Sequence, residues 1–462
     1  MTPTTKRTTT ITYQAQVRTG VDVVVVGAGP AGIAAALAAA RQGARTLLVE
    51  RYGHVGGNLT AGLVGPCMTS FSLDGSTQLI QGIFDELVTA LEQRGQAIHP
   101  SKVPAGSPYA GYISYGHDRV TPFEPEAMRL LATEKLAAAG VELLLHSTYL
   151  SPLMADGAVT GVVVANKSGI QSVAATVTLD CTADGDVAAS AGAAVRQGRD
   201  GDRLTQPMTL FFRVGGVDDA AVDDYVGRHP EDRRPFAGIV ERARTAGTFT
   251  IPRRGIGLYR TLHRGVWRIN TTRIQDVDGT DVDDLTRAEV EGQRQVSELM
   301  DFFRAHLPGF GAAVLVDIAA TIGVRETRRI VGDYTLTLAD LQSGRRFDDV
   351  IGLCGYPVDL HSPTDAGGGV REDLRTANAY QIPFRCLVPR DIDGLLVAGR
   401  CVSATHEALG AIRVMPPAFA MGEAAGVAAA TAVRARIRPR DIDITDLQGR
   451  LRAAGAYLGE EH

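Results

Sequence analysis

Residues 21–40, VDVVVVGAGPAGIAAALAAA, form an apolar run broken at Gly27, Gly29, Pro30 and Gly32. DVVVVG lacks the polar alternation of a half-exposed strand, so it predicts a strand buried on both faces of a parallel sheet. PAGIAAALAAARQG predicts a helix with proline in its first turn and glycine at its end. ARTLLVE is the next strand, which closes a βαβ unit. In 79–94, Leu79, Ile80, Ile83, Phe84, Leu87, Val88 and Leu91 fall on one helical stripe. A second helix is predicted over 124–140 and a strand over 141–146. Three β-rich runs then follow between turn residues: TYLSPLMADG, AVTGVVVANKSG and QSVAATVTLDCTADGD. They predict a meander beside the parallel sheet.

The pattern changes near residue 200. MTLFFRVGG and GVWRIN read as strands, 221–250 is rich in charge and breakers, and 286–306 is an amphipathic helix. The first pattern returns with DGLLVAGR (393–400) as a buried strand and 416–433 as a small-residue helix. The expected fold class is α/β: a Rossmann-like domain, parallel sheet plus β-meander, made from 21–200 and 386–462. An α+β substrate or cap domain, 201–385, is inserted into it. The Thr-rich stretch 1–20, without acids, is expected to be a tail.

A chain of 462 residues is too long for one core, so two or three domains are expected from length. Net charge is -5 with no long basic run, which argues against a nucleic-acid platform. The 21–40 run is long enough for a membrane span. Its glycines at fixed offsets and the following strand fit a buried strand-turn-helix instead, so a cytoplasmic protein is expected. The five cysteines show no CxxC and no metal spacing, which suits a reducing compartment and a protein without metal. Homo-oligomerisation is left open.

Gly27-Ala28-Gly29-Pro30-Ala31-Gly32 is a GxGxxG placed between strand and helix. Gly27 permits the turn, Gly29 lets a pyrophosphate approach the backbone, and Gly32 lets the helix pack on the sheet. The helix start, with Pro30 and Ala31, presents N–H groups and a positive dipole end to phosphates. Glu50, at the end of the second strand, is placed to accept hydrogen bonds from ribose hydroxyls. NAD and FAD share this fingerprint. Gly56 and Gly57, soon after Glu50, favour FAD, because a glycine pair there lets backbone pass close to the middle of a longer cofactor. Arg51 and Asn58 flank that stretch and are counted with it. Gly399 and Arg400 end a strand, while Arg413 and Met415 open a helix whose N-terminus would favour negative charge on reduced flavin.

With these segments in place, the chain resembles the FAD-dependent oxidoreductases that share the glutathione-reductase-type FAD domain. Within them it is similar to a widespread bacterial subgroup. The likeness rests on GAGPAGIAAALAAARQGA, ERYGHVGG, DCTADGDVA, RETRRIVGDYTLT, GYPVDLH, IPFRCLVP, LLVAGRCVSATHEALGAIRVMP and AMGEAAG. These cover 21–65, 175–190 and 320–430; residues 201–310 match nothing in it. The resemblance implies non-covalent FAD and a small-molecule substrate. A second GxGxxG and a redox cysteine pair, which a disulfide reductase carries, are absent from the sequence. AGRCVS stands where a hydroxybenzoate-hydroxylase-type enzyme shows GDAAH. The expected activity is therefore hydride removal at a CH–OH, CH–NH or CH–CH bond. A flavin monooxygenase, a redox-neutral flavoenzyme and a non-catalytic flavin carrier are the alternatives.

Such chemistry needs a base and a clamp for the substrate. His406, in SATHEAL, and His361, in GYPVDLHSP, are the candidate bases; the alternative is a histidine that orders its loop, beside Pro363 in the second case. In VRETRRIVGDY, strand alternation would set Arg325, Thr327 and Arg329 on one face and Glu326 and Arg328 on the other. Arg325 would then hold a substrate carboxylate, or else join a buried Arg–Glu pair. Arg385 and Arg413 lie near cofactor segments and serve flavin or structure, and Tyr380 is a weaker proton-transfer candidate. His54 and Cys67 are the positions at which a covalent flavin bond would be sought.

Overall fold

The structure, a computed structural model, describes residues 9–232 and 234–459. Its centre is a five-stranded all-parallel sheet. The strand order is Leu395–Val397, Val177–Asp180, Val23–Val26, Thr46–Val49 and Glu142–Leu144. The first four of these strands are buried along their whole length, which is why their sequences show no alternation. The helices Pro30–Arg41 and Met415–Ala435 pack together across about 390 residues of sequence. Their contact is backbone to backbone: a Cβ on Gly422 would sit 2.1 Å from the Ala31 carbonyl oxygen, and one on Gly426 2.2 Å from that of Ala35.

Beside this sheet, Thr148–Ala155, Ala158–Asn166 and Gly169–Ala174 form the expected antiparallel meander. The third β-rich run divides: its first half stays in the meander, and Val177–Asp180 crosses into the parallel sheet. The expected tail needs a similar correction. Residues 1–8 lie outside the described residues, but Gln16–Arg18 pairs in parallel with Gln171–Val173 as the edge strand of the meander sheet.

A four-stranded antiparallel sheet, in the order Leu258–Arg260, Trp267–Ile269, Phe212–Gly215 and Val314–Ile318, carries the second layer. Asp219–Arg228, Ala237–Thr245 and the long helix Val282–His306 accompany it. Asp281 caps the long helix by accepting from the N–H groups of Asp283 and Asp284. Its buried stripe, Val296, Leu299, Met300, Phe302 and Phe303, belongs to a second hydrophobic cluster built from Leu63 and residues 208–322. Side chains from Ile330 onward pack with the parallel-sheet cluster instead. The separate core is therefore narrower than the inserted span 201–385. Among the described residues, no helix is long and apolar enough to cross a membrane.

Candidate functional site

A cavity of about 1000 Å³ runs from the GxGxxG turn to the antiparallel sheet. At one end the strand Val23–Val26 stops at Gly27, whose φ of 97° and close approach to the Cys181 carbonyl exclude a side chain. Gly29 is extended (φ -74°, ψ -170°), and a Cβ there would meet nothing within 4 Å, so its free side is open cavity. Gly32 lies off the wall; a Cβ on it would fall 1.8 Å from the Gly27 oxygen, so it serves the turn itself. Pro30, Ala31, Glu50, Arg51, Gly57 and Asn58 line this end. Glu50 is held there by two backbone donors, Ala28 N–H at 2.7 Å and Tyr52 N–H at 2.9 Å. Each carboxylate oxygen keeps a further lone pair.

The glycine pair works differently from its sequence-based reading. Gly56 is off the cavity wall, and its N–H donates to the Ala28 carbonyl at 2.8 Å. A Cβ on Gly57 would lie 3.0 Å from the Gly29 Cα. The pair lets this loop press against the GxGxxG turn, and only Gly57 and Asn58 reach the cavity. Opposite them, Gly399, Arg400, Arg413, Val414 and Met415 line the wall. The Met415–Ala435 helix begins there without a side-chain cap and without an acid in its first turn. Arg400 is tied to Asp184 at 2.8 Å and to Thr327 at 3.2 Å. Two helix N-termini thus face one cavity beside an open glycine turn and a fixed carboxylate, and these donors fit a bound FAD.

The far end is made by residues that sequence reasoning largely missed: His117, Arg234, Arg253, Tyr259, Asn270 and Asp359. Four of them lie in the 201–310 stretch, where the only local signs were isolated polar residues. His361, Arg325 and Arg413 join them on the wall. His361 Nε2 lies 3.4 Å from Asp359 Oδ1, and its Nδ1 lies 3.5 Å from Arg253 Nη1. Burial first, and then the charge of Arg325, hold the His361 imidazole well below its ordinary pKa. Burial would raise the Asp359 carboxyl, but His361, Arg413 and Arg325 outweigh it and hold the group well below the usual carboxylate range. Burial also pushes the His117 imidazole down to about 4.

His406 is not on the cavity wall. Its Nδ1 bonds the fully buried Glu326 at 2.9 Å, and Glu326 also pairs with Arg329. The imidazole is thus occupied inside the protein, which corrects its expected place beside the flavin. The alternation expected for 325–329 also fails, because the strand begins only at Arg328. Glu326 and Arg329 turn inward together. Arg325 faces the cavity and donates to Pro207 O and Thr209 Oγ1, and Arg328 reaches Asp184 O and Asp186. Arg385 pairs with Asp349, and the Tyr380 hydroxyl donates to Tyr356 O, both off the wall. His54 also lies off the wall, within 3.3 Å of the Val55 oxygen, and so does Cys67, whose thiol burial pushes up to about 12.

A vinyl phenol reductase of Lactiplantibacillus plantarum is 31% identical over 31% of this chain and 33% of its own. A thiamine thiazole synthase of Aeropyrum pernix is 30% identical over 34% of this chain and 48% of its own. The chain thus spans less than half the length of these relatives. Among solved structures, a p-nitrophenol 4-monooxygenase from Pseudomonas putida is similar at 13% identity with a TM-score of 0.47, over 97% of this chain and 90% of that one. The family model described as FAD dependent oxidoreductase matches residues 22–451, nearly the whole chain. The protein therefore belongs to the FAD dependent oxidoreductase family, an enzyme whose cofactor is FAD.

Proposed function

We propose that the enzyme takes a hydride from a small organic substrate at a CH–OH, CH–NH or CH–CH bond, with His361 receiving the accompanying proton. Bound FAD supplies the hydride acceptor. The observation that carries the reading is the His361 imidazole on the cavity wall, set between the Asp359 carboxylate and the Arg253 guanidinium. Nε2–H donates toward Asp359, and the Nδ1 lone pair, which faces the Arg253 N–H across a long 3.5 Å contact, is the proton acceptor; this tautomer follows from the partners. A proton arriving at Nδ1 makes an imidazolium that Asp359 stabilises across 3.4 Å. The reductase among the relatives also supports hydride exchange with an organic substrate.

The test is anaerobic mixing of the enzyme with alcohols, amines and saturated acids while the visible flavin band is followed. Bleaching is expected without NAD(P)H. His361→Gln is expected to slow it by about 10²–10⁴-fold with flavin content unchanged. Because His361 titrates well below 6.5, the wild-type rate is expected to stay flat from neutral pH upward. Bleaching that needs NAD(P)H, with oxygen gained by the product, would instead establish a monooxygenase.

A further inference from the structure

The antiparallel-sheet end of the cavity carries an excess of buried positive charge. Arg253 and Arg325 are 6% and 9% exposed, and both approach the same Asn270 Oδ1, at 3.3 and 3.4 Å. Their other acceptors are neutral: Thr271 O, Asn270 O and, at 3.5 Å, His361 Nδ1 for Arg253, and Pro207 O and Thr209 Oγ1 for Arg325. Neither has a carboxylate partner among the described residues. Arg413 bonds Asp359 at 3.0 Å, and that same carboxylate also serves His361. Arg234 adds another guanidinium to the wall and is in no ion pair among the described residues. Arg273 lies just behind, 2% exposed, donating to the Ser362 and Gly367 carbonyls. The nearby Asn270, Tyr259, Tyr356 and His117 supply no negative charge.

A buried guanidinium keeps its proton and needs a counter-charge. Here burial, then the charge of Arg413, pushes Arg325 down to about 9, and burial with Arg325 and Arg234 holds Arg253 well below its ordinary value. Among the described residues, Asp359 is the one carboxylate ion-paired to any of Arg234, Arg253, Arg325 and Arg413, which leaves the balance at this end to the ligand. The two planar forks meet at the neutral Asn270 Oδ1 on the cavity wall, which puts them within reach of one ligand there, and a guanidinium fork matches a carboxylate. The cofactor phosphates are provided for at the opposite end, by the glycine turn and helix start.

We propose that the substrate is a small organic acid whose carboxylate is seated between Arg253 and Arg325. This rests on the reading that substrate occupies the same cavity as His361. It is tested by calorimetric titration of the FAD-loaded enzyme with malonate, succinate and benzoate, each beside its own amide. At least one acid is expected to bind while its amide does not. Arg253→Gln and Arg325→Gln are each expected to weaken that acid about 10- to 100-fold. Arg325→Lys should retain part of the affinity, and bound FAD per chain should be unchanged in all three. The proposal is overturned if every amide binds as well as its acid, if no acid binds, or if the glutamine variants bind the acid as wild type does. Loss of FAD from the arginine variants also overturns it, by assigning the charges to the cofactor. If a glutamine variant does not fold, the acid–amide contrast on wild type and the lysine variant decide. Acid binding without bleaching by any acid, amine or alcohol leaves this site standing and sinks the hydride reading; bleaching by neutral substrates alone does the reverse.

Discussion

Replacing Gly29 with alanine should separate cofactor binding from folding. The added Cβ would meet no protein atom within 4 Å, and φ -74°, ψ -170° is open to any residue. The unfolded chain loses entropy on Gly→Ala, a gain of about 0.4–1 kcal/mol. Alanine is a poorer N-cap by a comparable amount, about 0.5–1 kcal/mol. The two nearly cancel, so apoprotein Tm should move by no more than about 2 °C in a chain of this size. The methyl group would occupy the open space at the helix start that the glycine turn is expected to offer a phosphate oxygen. Losing two charge-assisted hydrogen bonds costs about 3–6 kcal/mol, which raises the Kd for FAD by about 10²–10⁴-fold. The assay strips FAD from both proteins, titrates it back by flavin fluorescence, and melts the apoproteins by circular dichroism. An unchanged Kd would refute the placement of the pyrophosphate on this turn. A fall in apoprotein Tm of more than about 5 °C would show Gly29 to be structural. Gly32→Ala is the contrast: its Cβ would lie 1.8 Å from the Gly27 oxygen, so the apoprotein itself should lose about 3 kcal/mol or more.

Two further predictions concern carboxylates away from the cavity. Glu423, 3% exposed, accepts from Ile83 N–H at 3.1 Å, and burial raises its carboxyl to about 7. A raised acid stabilises the fold fully below its unfolded pKa and loses that contribution as pH rises through the folded value. Wild type should therefore lose about 3 kcal/mol relative to Glu423→Gln between about pH 4.5 and 7. Urea denaturation at several pH values checks this, and an identical pH slope in the variant would count against it. Glu326→Gln should cost about 3–5 kcal/mol, because it leaves the buried Arg329 without its partner. Adding Arg329→Met should restore much of that loss in the same denaturation assay.

The parallel-sheet half was legible because its strands are buried on both faces and its glycines are placed by close contact, both of which are local properties. The RETRR stretch was misjudged because alternation presumes an extended chain, and here extension starts only at Arg328. His406 looked exposed to chemistry because SATHEAL adjoins cofactor segments; its partner Glu326 lies 80 residues away and leaves no trace in local pattern. Arg253 and Asn270 were invisible for a similar reason. Each is one polar residue among many in a charged region, and only tertiary packing turns them toward His361 and Arg325. The boundary at 385 followed a change of pattern, whereas the cores follow packing: Ile330, Tyr356 and Tyr380 look irregular in sequence yet join the first cluster.

The glycine seam between Ala31–Ala35 and Gly422–Gly426 sets a clock on the making of the holoenzyme. At about 5–20 residues per second, a ribosome needs roughly 20–80 s to pass from Gly32 to Gly422. Through that interval the GxGxxG turn is complete in sequence but lacks the helix that covers its back and completes the cavity wall. Cofactor loading is therefore expected to be a late step in biogenesis. A nascent chain arrested before residue 415 should capture no FAD, however well its first βαβ unit has formed.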